Sequence, residues 1–302
     1  MTRNTDILIT SIAPVIWGST YLITTEYLPA GYPLTVAMLR ALPIGLLLLL
    51  VVRQLPSEGW WLKILLLGAL NFSLFWWMLF VSAYRLPGGV AATVGAIQPV
   101  IVIILARLLL GSSIRPLAIM AAMIGIISIA TLILTPQASL DPVGLAAAFT
   151  SAVSMALGTV LSRRWQPQVS LLTFTSWQLV AGGLLLLPAA MWLEPALPSL
   201  TQTNLLGFAY LGLIGAALTY LLWFRGLSRL EPSSVSTLGF LSPITAVVIG
   251  WLFLQQSLSF IQMLAVITVF ISVWLGQFAS RPLTSTKMSA VNSVKNNSTI
   301  NN

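Results

Sequence analysis

The chain contains neither cysteine nor histidine among its 302 residues, and only six of them are acidic. Without these two residue types there is no thiolate nucleophile, no imidazole base and no usual set of zinc ligands. No Asp or Glu lies deep inside a long apolar run, so a buried carboxylate pair is missing as well. Intramembrane hydrolysis or phosphotransfer needs a nucleophile with a base, a carboxylate pair or a metal site. We therefore expect no enzymatic activity, no metal site and no cofactor.

Charged residues of either sign are scarce, and hydrophobic residues make up most of the chain. Charged residues make up 7% of the chain, hydrophobic residues 58%, and the mean hydropathy is +0.96. Soluble domains carry about 25% charged residues, whereas a membrane helix needs about 20 mainly apolar ones. The apolar runs are too long and continuous for barrel strands, so they indicate an all-α polytopic membrane protein. They predict ten transmembrane helices, at 7–27, 32–52, 60–84, 88–110, 116–135, 142–162, 170–192, 203–226, 232–254 and 259–279.

The positive charges lie almost entirely on one side of this ten-helix topology. Twelve lysines and arginines fall in loops or tails on the side of the N-terminus, Arg85 alone falls on the other side, and Arg40 lies within a helix. Because Lys and Arg are retained on the cytoplasmic face, both termini are predicted to be cytoplasmic in a multi-pass inner (plasma) membrane protein. The same rule explains the net charge of +8 without a nucleic-acid partner.

The second half of the chain repeats the first. Residues 67–128 align without gaps on 211–272, and 45–49 align on 183–187; the non-aliphatic matches are Gly68/Gly212, Phe80/Phe224, Arg85/Arg229, Thr93/Thr237, Gly95/Gly239 and Pro99/Pro243. The repeats are therefore predicted at 7–135 and 142–279. Since each contains five helices, an odd number, the second enters the membrane from the opposite side and the repeats are inverted. Residues 280–302, rich in Ser, Thr, Asn and Lys, are predicted to form a disordered cytoplasmic tail.

Two prolines occupy equivalent mid-membrane positions. Pro99 and Pro243 each lie twelfth in a 23-residue span, and Gly95 and Gly239 precede them by four residues. Proline removes a backbone donor and kinks a helix. We interpret the pair as hinges or cavity walls; the alternative is ordinary packing, because Pro and Gly are common in membrane helices.

Arg40 is the single formal charge well inside a predicted span. Such a charge is expensive and by default marks a functional position. The repeat places Gln178 at the equivalent position, so both halves keep a polar group there. The sequence leaves three possibilities open for Arg40: extension toward the membrane surface, an ion pair with Glu26, or a buried hydrogen-bonding role.

Hydrogen-bonding and aromatic residues gather near the middle of several spans. Each Ser or Thr alone is explained by helix–helix hydrogen bonding. Aromatic rings beside polar groups at this depth are instead typical of a cavity for a planar or amphipathic solute. The predicted solute-binding residues are Trp17, Tyr21, Asn71, Trp76, Thr93, Gln98, Ser154, Tyr220, Trp223 and Ser242.

These features together resemble a known family. The ten spans, the repeat, the Trp17-Gly-Ser-Thr-Tyr21 motif, Arg40 and the two proline-containing helices look like the EamA-type drug/metabolite transporter superfamily over about residues 7–280. The resemblance is closest to its PecM-like branch, which is associated with a pigment exporter. It implies a central cavity lined by helices one, three, four, six, eight and nine. It also implies export of small metabolites such as amino-acid derivatives, purines or pigments.

The resulting hypothesis is an exporter of a small organic metabolite that works by alternating access, with the solute and the bilayer as its partners. We favour facilitated diffusion, because Glu26 is the sole acid near a plausible cavity mouth; proton exchange through Glu26 is the alternative. A membrane regulator is the rival class, although the predicted topology leaves it no sizeable soluble domain. Monomer and oligomer both remain possible.

Overall fold

The computed structural model describes residues 2–86, 94–133, 141–253 and 259–280, and these ranges contain ten successive helices. Eight of them are long and apolar enough to cross a membrane, and α4 and α5 are shorter apolar helices. Their bounds are α1 Arg3–Tyr27, α2 Pro33–Val52, α3 Trp61–Gly68 continued by Ala69–Ser73 and Leu74–Arg85, α4 Gln98–Leu110, α5 Pro116–Ile133, α6 Pro142–Arg164, α7 Leu171–Leu193, α8 Gln202–Ala209 continued by Tyr210–Leu218 and Thr219–Arg229, α9 Pro232–Leu238 with Leu241–Phe253, and α10 Phe260–Ala279.

Polar residues just outside the apolar runs determine several helix starts. Asp141 accepts a hydrogen bond from the Gly144 amide at 2.7 Å at the start of α6, and Ser170 caps α7 in the same way. Such caps satisfy backbone donors that have no partner within the helix. The helix bounds follow the predicted spans to within a few residues, with two exceptions. Helix α1 begins at Arg3 rather than at residue 7, and α4 begins at Gln98 rather than at residue 88, with residues 88–93 of that span outside the described residues. Residues 281–302, predicted to be a disordered tail, lie outside the described residues.

The fold is two inverted five-helix repeats packed together. Exchanging each helix with its counterpart, α1 with α6 and so on to α5 with α10, reproduces the main pairs of neighbours. Helix α1 packs on α8 and α9, and α6 correspondingly packs on α3 and α4. The pairs α2–α7, α4–α9 and α5–α10 each consist of two counterparts. Such pairing of counterpart helices is expected of two halves that are related by a pseudo-two-fold axis.

Two equivalent glycines allow the close packing of α2 against α7. A Cβ placed on Gly45 would lie 2.7 Å from the Val180 nitrogen, and one on Gly183 would lie 2.6 Å from the Leu42 Cβ. Small residues let membrane helices approach until their backbones nearly touch. These glycines belong to the matched segments 45–49 and 183–187, so the repeat in the sequence corresponds to a symmetric contact.

Both long helices change to wider π-helical turns at their centres. The π segments are Ala69–Ser73 in α3 and Tyr210–Leu218 in α8, and the 144-residue offset places the first within the second. A π-helical turn shifts the backbone hydrogen-bonding pattern and is frequent at functional sites. Side chains from neighbouring helices donate to the carbonyls of both segments, as described below.

Helices α4 and α9 are both interrupted shortly before their prolines. In α9 the amides of Gly239 and Phe240 bond to carbonyls three residues earlier, and the second helical segment begins at Leu241. In α4 a turn at residues 96–97 precedes the segment that begins at Gln98. Pro99 and Pro243 therefore lie in the first turn of a helical segment, where a proline costs no helical hydrogen bond.

Candidate functional site

The centre of the bundle holds a connected cluster of aromatic rings from α1, α3 and α8. The Trp17 ring lies 5.3 Å from Tyr220 and 5.0 Å from Trp223, measured between centroids. Tyr220 in turn lies 4.4 Å from Phe72, which contacts Trp76 edge-on at 5.3 Å. We call these five residues the aromatic cluster. Trp17 is its half-buried member, whereas the other four rings are buried.

The Trp17-Gly-Ser segment joins α1 to two helices of the other repeat. The Trp17 indole donates to the Thr219 hydroxyl at 2.9 Å, and the Ser19 and Tyr210 hydroxyls lie 2.7 Å apart. Between them, a Cβ on Gly18 would lie 2.6 Å from the Ser242 carbonyl oxygen of α9. The motif therefore sets both the α1–α8 and the α1–α9 contacts, which explains why these residue types occur together.

Asn71 fastens α3 to α6 and α7. Its side-chain amide donates to the Gln178 oxygen at 2.8 Å and to the Ser162 hydroxyl at 3.1 Å, and the residue is 1% exposed. Its backbone carbonyl, inside the π segment, accepts from the Tyr220 hydroxyl at 3.3 Å. Ser154 of α6 donates to the Leu70 carbonyl in the same segment at 2.8 Å. Asn71 and Ser154 therefore link helices next to the aromatic cluster.

Arg40 is buried against the aromatic cluster and has only 7% of its surface exposed. Its guanidinium lies 4.6 Å from the centroid of the Trp76 ring and donates to the Gly215 carbonyl, in the α8 π segment, at 2.7 Å. The structure therefore places Arg40 in a buried hydrogen-bonding arrangement. The Arg40 side chain does not extend toward the membrane surface. In the part of the chain that the structure covers, it also forms no ion pair with Glu26.

The remaining predicted residues are more dispersed. Gln98 is half-buried on α4, and its side-chain nitrogen has no hydrogen-bond partner among the described residues. Ser242 is half-buried on α9, and its carbonyl oxygen lies against Gly18. Thr93 lies outside the described residues. Tyr21 lies in α1, but its side chain is likewise outside the description.

Asp6, in the first turn of α1, is a charged residue whose burial the sequence did not indicate. Helix α1 begins before it, and its carboxylate accepts from Arg225 at 2.6 Å, with Arg229 at 3.5 Å, both on α8. Nearby, Arg163 of α6 donates to the Leu227 carbonyl of α8 at 2.9 Å. We call the end of the bundle that carries these three arginines the arginine-rich end. The available signal was the spacing of Arg225 and Arg229, which puts both on one face of a helix.

The acids at the opposite end serve different purposes. Glu194 accepts from the Leu34 and Thr35 amides, both at 2.7 Å, and so caps α2 from the segment that follows α7. This satisfies two backbone donors and places a negative charge at the positive end of the helix dipole. Glu26, the predicted coupling candidate, is exposed near the end of α1.

A protein-family model, the EamA-like transporter family, matches residues 5–134 and 142–276. The chain belongs to this family. It is 48% identical over 260 residues to Protein PecM of Dickeya dadantii, covering 85% of this chain and 87% of PecM. It is also similar to the uncharacterized inner membrane transporter YedA of Escherichia coli K12, with 28% identity over 274 residues and coverage of 87% and 89%.

A solved crystal structure of another protein has the same fold. It superposes with a TM-score of 0.79 at 18% sequence identity and covers 93% of this chain and 99% of its own. At that identity the likeness concerns the fold alone. The family match and the transporter relatives make this EamA-family chain a multi-pass membrane transporter of small-molecule solutes.

Proposed function

We propose that this EamA-family transporter exports a small organic metabolite from the cytoplasm by alternating access, as a facilitator. The observation that carries the proposal is the aromatic cluster, with Trp17 half-buried at its edge and Arg40 beside it. Rigid aromatic walls with a few polar groups suit a planar or amphipathic solute. An amino-acid derivative, a purine or a pigment-like solute has this shape.

Closure of one end of the bundle supports the alternating-access part of the proposal. At the arginine-rich end, the Asp6–Arg225 pair joins α1 to α8 across the two repeats, and Arg163 joins α6 to α8 within the second repeat. Arg3 of α1 further donates to the Gln277 carbonyl of α10 at 2.6 Å. We propose that this end faces the cytoplasm and that these contacts break when it opens. The helix breaks before Pro99 and Pro243 would serve as hinges for that movement.

Facilitated diffusion is favoured over proton exchange by the position of the acids. A proton-coupled carrier usually places a titratable group in its pathway, where its exposure alternates. No Asp or Glu belongs to the aromatic cluster, and Glu26 is exposed at the far end of α1. Glu26-dependent antiport remains the second candidate mechanism, because this residue lies on the same helix as Trp17.

Purified protein in liposomes tests these functions. A panel of amino-acid derivatives, purines and planar pigments is loaded inside, and efflux is compared with that of empty liposomes. With equal solute on both faces, an imposed pH gradient should drive no net accumulation. Accumulation that disappears in Glu26→Gln but persists in Glu58→Gln, a matched exposed acid, would establish antiport instead. If no member of the panel moves, the exporter proposal fails and a regulator without transport activity becomes the better description.

A further inference from the structure

Arg40 is a buried positive charge to which the protein supplies no negative counterpart. All six acidic residues of the chain lie within the described ranges, and none forms an ion pair with Arg40. Each is otherwise placed: paired with an arginine (Asp6, Asp141, Glu231), capping α2 (Glu194), or exposed (Glu26, Glu58). Since arginine stays protonated in proteins, the charge persists at the centre of the bundle.

An unpaired buried charge of this kind is costly, so its retention calls for a compensating interaction. Removing a guanidinium from water costs several kcal/mol, to order of magnitude, unless a partner repays it. The Trp76 ring, 4.6 Å away, and the Gly215 carbonyl supply partial compensation. Both are neutral groups, and the positive charge is still without a counter-charge.

The guanidinium also keeps unused hydrogen-bonding capacity. Its Nε is buried and has no hydrogen-bond partner among the described residues, whereas one terminal nitrogen is occupied by the Gly215 carbonyl. A carboxylate is the group that matches a guanidinium best, because its two oxygens can accept from two adjacent N–H groups. The half-buried Trp17 ring of the aromatic cluster offers a flat surface to the rest of such a solute.

We propose that Arg40 is the anion-binding residue of the transport site and that the solute is an aromatic carboxylate. This inference rests on the proposed transport function and specifies its substrate class. The carboxylate neutralises Arg40 while the planar ring packs against the aromatic cluster. Since the bound complex is neutral overall, the solute crosses the low-dielectric centre at much lower cost than it would alone. Because the free carrier holds the positive charge, export of one monoanion moves net charge across the membrane.

Three matched pairs of probes test the inference: benzoate, phenylacetate and indole-3-carboxylate, each against its primary amide. We expect the parent protein in liposomes to exchange at least one carboxylate about tenfold or more faster than its amide, as loss of a charge-assisted pair predicts. In net efflux, where no anion returns, a membrane potential that is positive on the receiving side should accelerate the carboxylate flux and leave the amide flux unchanged. The carboxylate, and not the amide, should raise the melting temperature of the purified parent protein.

Variants then connect the selectivity to Arg40. Arg40→Gln, which copies the residue of the other repeat, should reduce carboxylate exchange at least about tenfold and leave amide exchange near the parental level. Arg40→Lys keeps the charge without the planar pair of donors, so its rate of carboxylate exchange should lie between those of the parent protein and Arg40→Gln. Arg53→Gln, an exposed arginine at the end of the same helix, is the control and should behave as the parent does.

Several outcomes would overturn the inference. One is that Arg40→Gln exchanges the carboxylates at the parental rate. Another is that the parent protein exchanges each acid and its amide at equal rates. If Arg40→Gln does not accumulate in the membrane, the acid-to-amide ratio and the potential dependence of the parent protein decide the question alone. Transport of neutral panel solutes without any of the three acids would refute the carboxylate while the exporter function stands. Failure of every solute would refute the exporter function itself.

Discussion

Arg225 of α8 donates a 2.6 Å hydrogen bond to the Asp6 carboxylate of α1, and both side chains are largely buried. The two residues are 219 positions apart and belong to different repeats. Breaking a buried pair by removing one partner leaves the other charge uncompensated, which costs about 3–5 kcal/mol. The pair is therefore a strong candidate for the contact that closes the arginine-rich end.

Asp6→Asn should shift the transporter toward opening at this end. Thr10 is fully buried against Gly226, so a cysteine at position 10 reports exposure there in a chain without native cysteine. In inside-out vesicles, we expect Thr10→Cys to react at least about tenfold faster with a maleimide when Asp6→Asn is present. The exposed Arg85–Asp141 pair provides the control, because Asp141→Asn should leave the rate unchanged. Equal labelling in Asp6→Asn and the parent would exclude the gating role.

Trp17→Ala should raise the apparent KM severalfold or abolish transport at near-normal membrane abundance. Trp17 is half-buried, so its loss removes ring surface from the aromatic cluster without leaving a closed cavity. Tyr220→Ala should act on transport in the same direction. Tyr220→Phe is the cleaner variant at that position, because it keeps the ring and removes only the hydroxyl bonded to Asn71. Trp192, 84% exposed, supplies the matched control. Parental kinetics in both Trp17→Ala and Tyr220→Ala would remove the aromatic cluster from the solute pathway.

We predict that both termini and the segment near Arg164 lie on the cytoplasmic side, and single introduced cysteines test this orientation. Gln166→Cys should resist an impermeant thiol reagent in intact cells, whereas Ala138→Cys and Pro198→Cys should react. The reason is the asymmetric distribution of Lys and Arg between the two sides. Permeabilised cells provide the control, since all three should then be labelled. Reaction at position 166 in intact cells, with none at 138, would reverse the proposed orientation.

Gly45→Ala should lower the melting temperature and the membrane abundance by disrupting the α2–α7 contact. The added Cβ would lie 2.7 Å from the Val180 nitrogen, and backbone on both sides limits relaxation. Gly95→Ala is the comparison, because no described atom lies within 4 Å of a Cβ at that position. We expect its abundance to be normal. Equal thermal stability of the two variants would show that α2 and α7 do not depend on this approach.

The membrane helices and their repeat were predictable because both follow from local composition. A helix satisfies its backbone hydrogen bonds internally, so a run of about 20 apolar residues specifies a membrane helix without reference to its neighbours. The matched Gly45 and Gly183, and the matched prolines, carry the symmetry directly in the residue types. Arg40 could be singled out for the same reason, since one charge inside an apolar run is visible in the sequence alone.

The connections made by these residues depend on distant parts of the chain, and only the tertiary structure decided them. Arg40 donates to the Gly215 carbonyl, 175 residues away, within a π-helical segment that has no signature in composition. Asp6 does lie at a helix end, in the first turn of α1, which Thr2 caps. Only the packing of α1 against α8 buries its carboxylate beside Arg225. Sequence determines which segments enter the membrane, since transfer from water to lipid depends on each segment's own surface. Which polar groups meet inside is determined by the packing of all ten helices together, because a hydrogen bond requires both partners at about 3 Å.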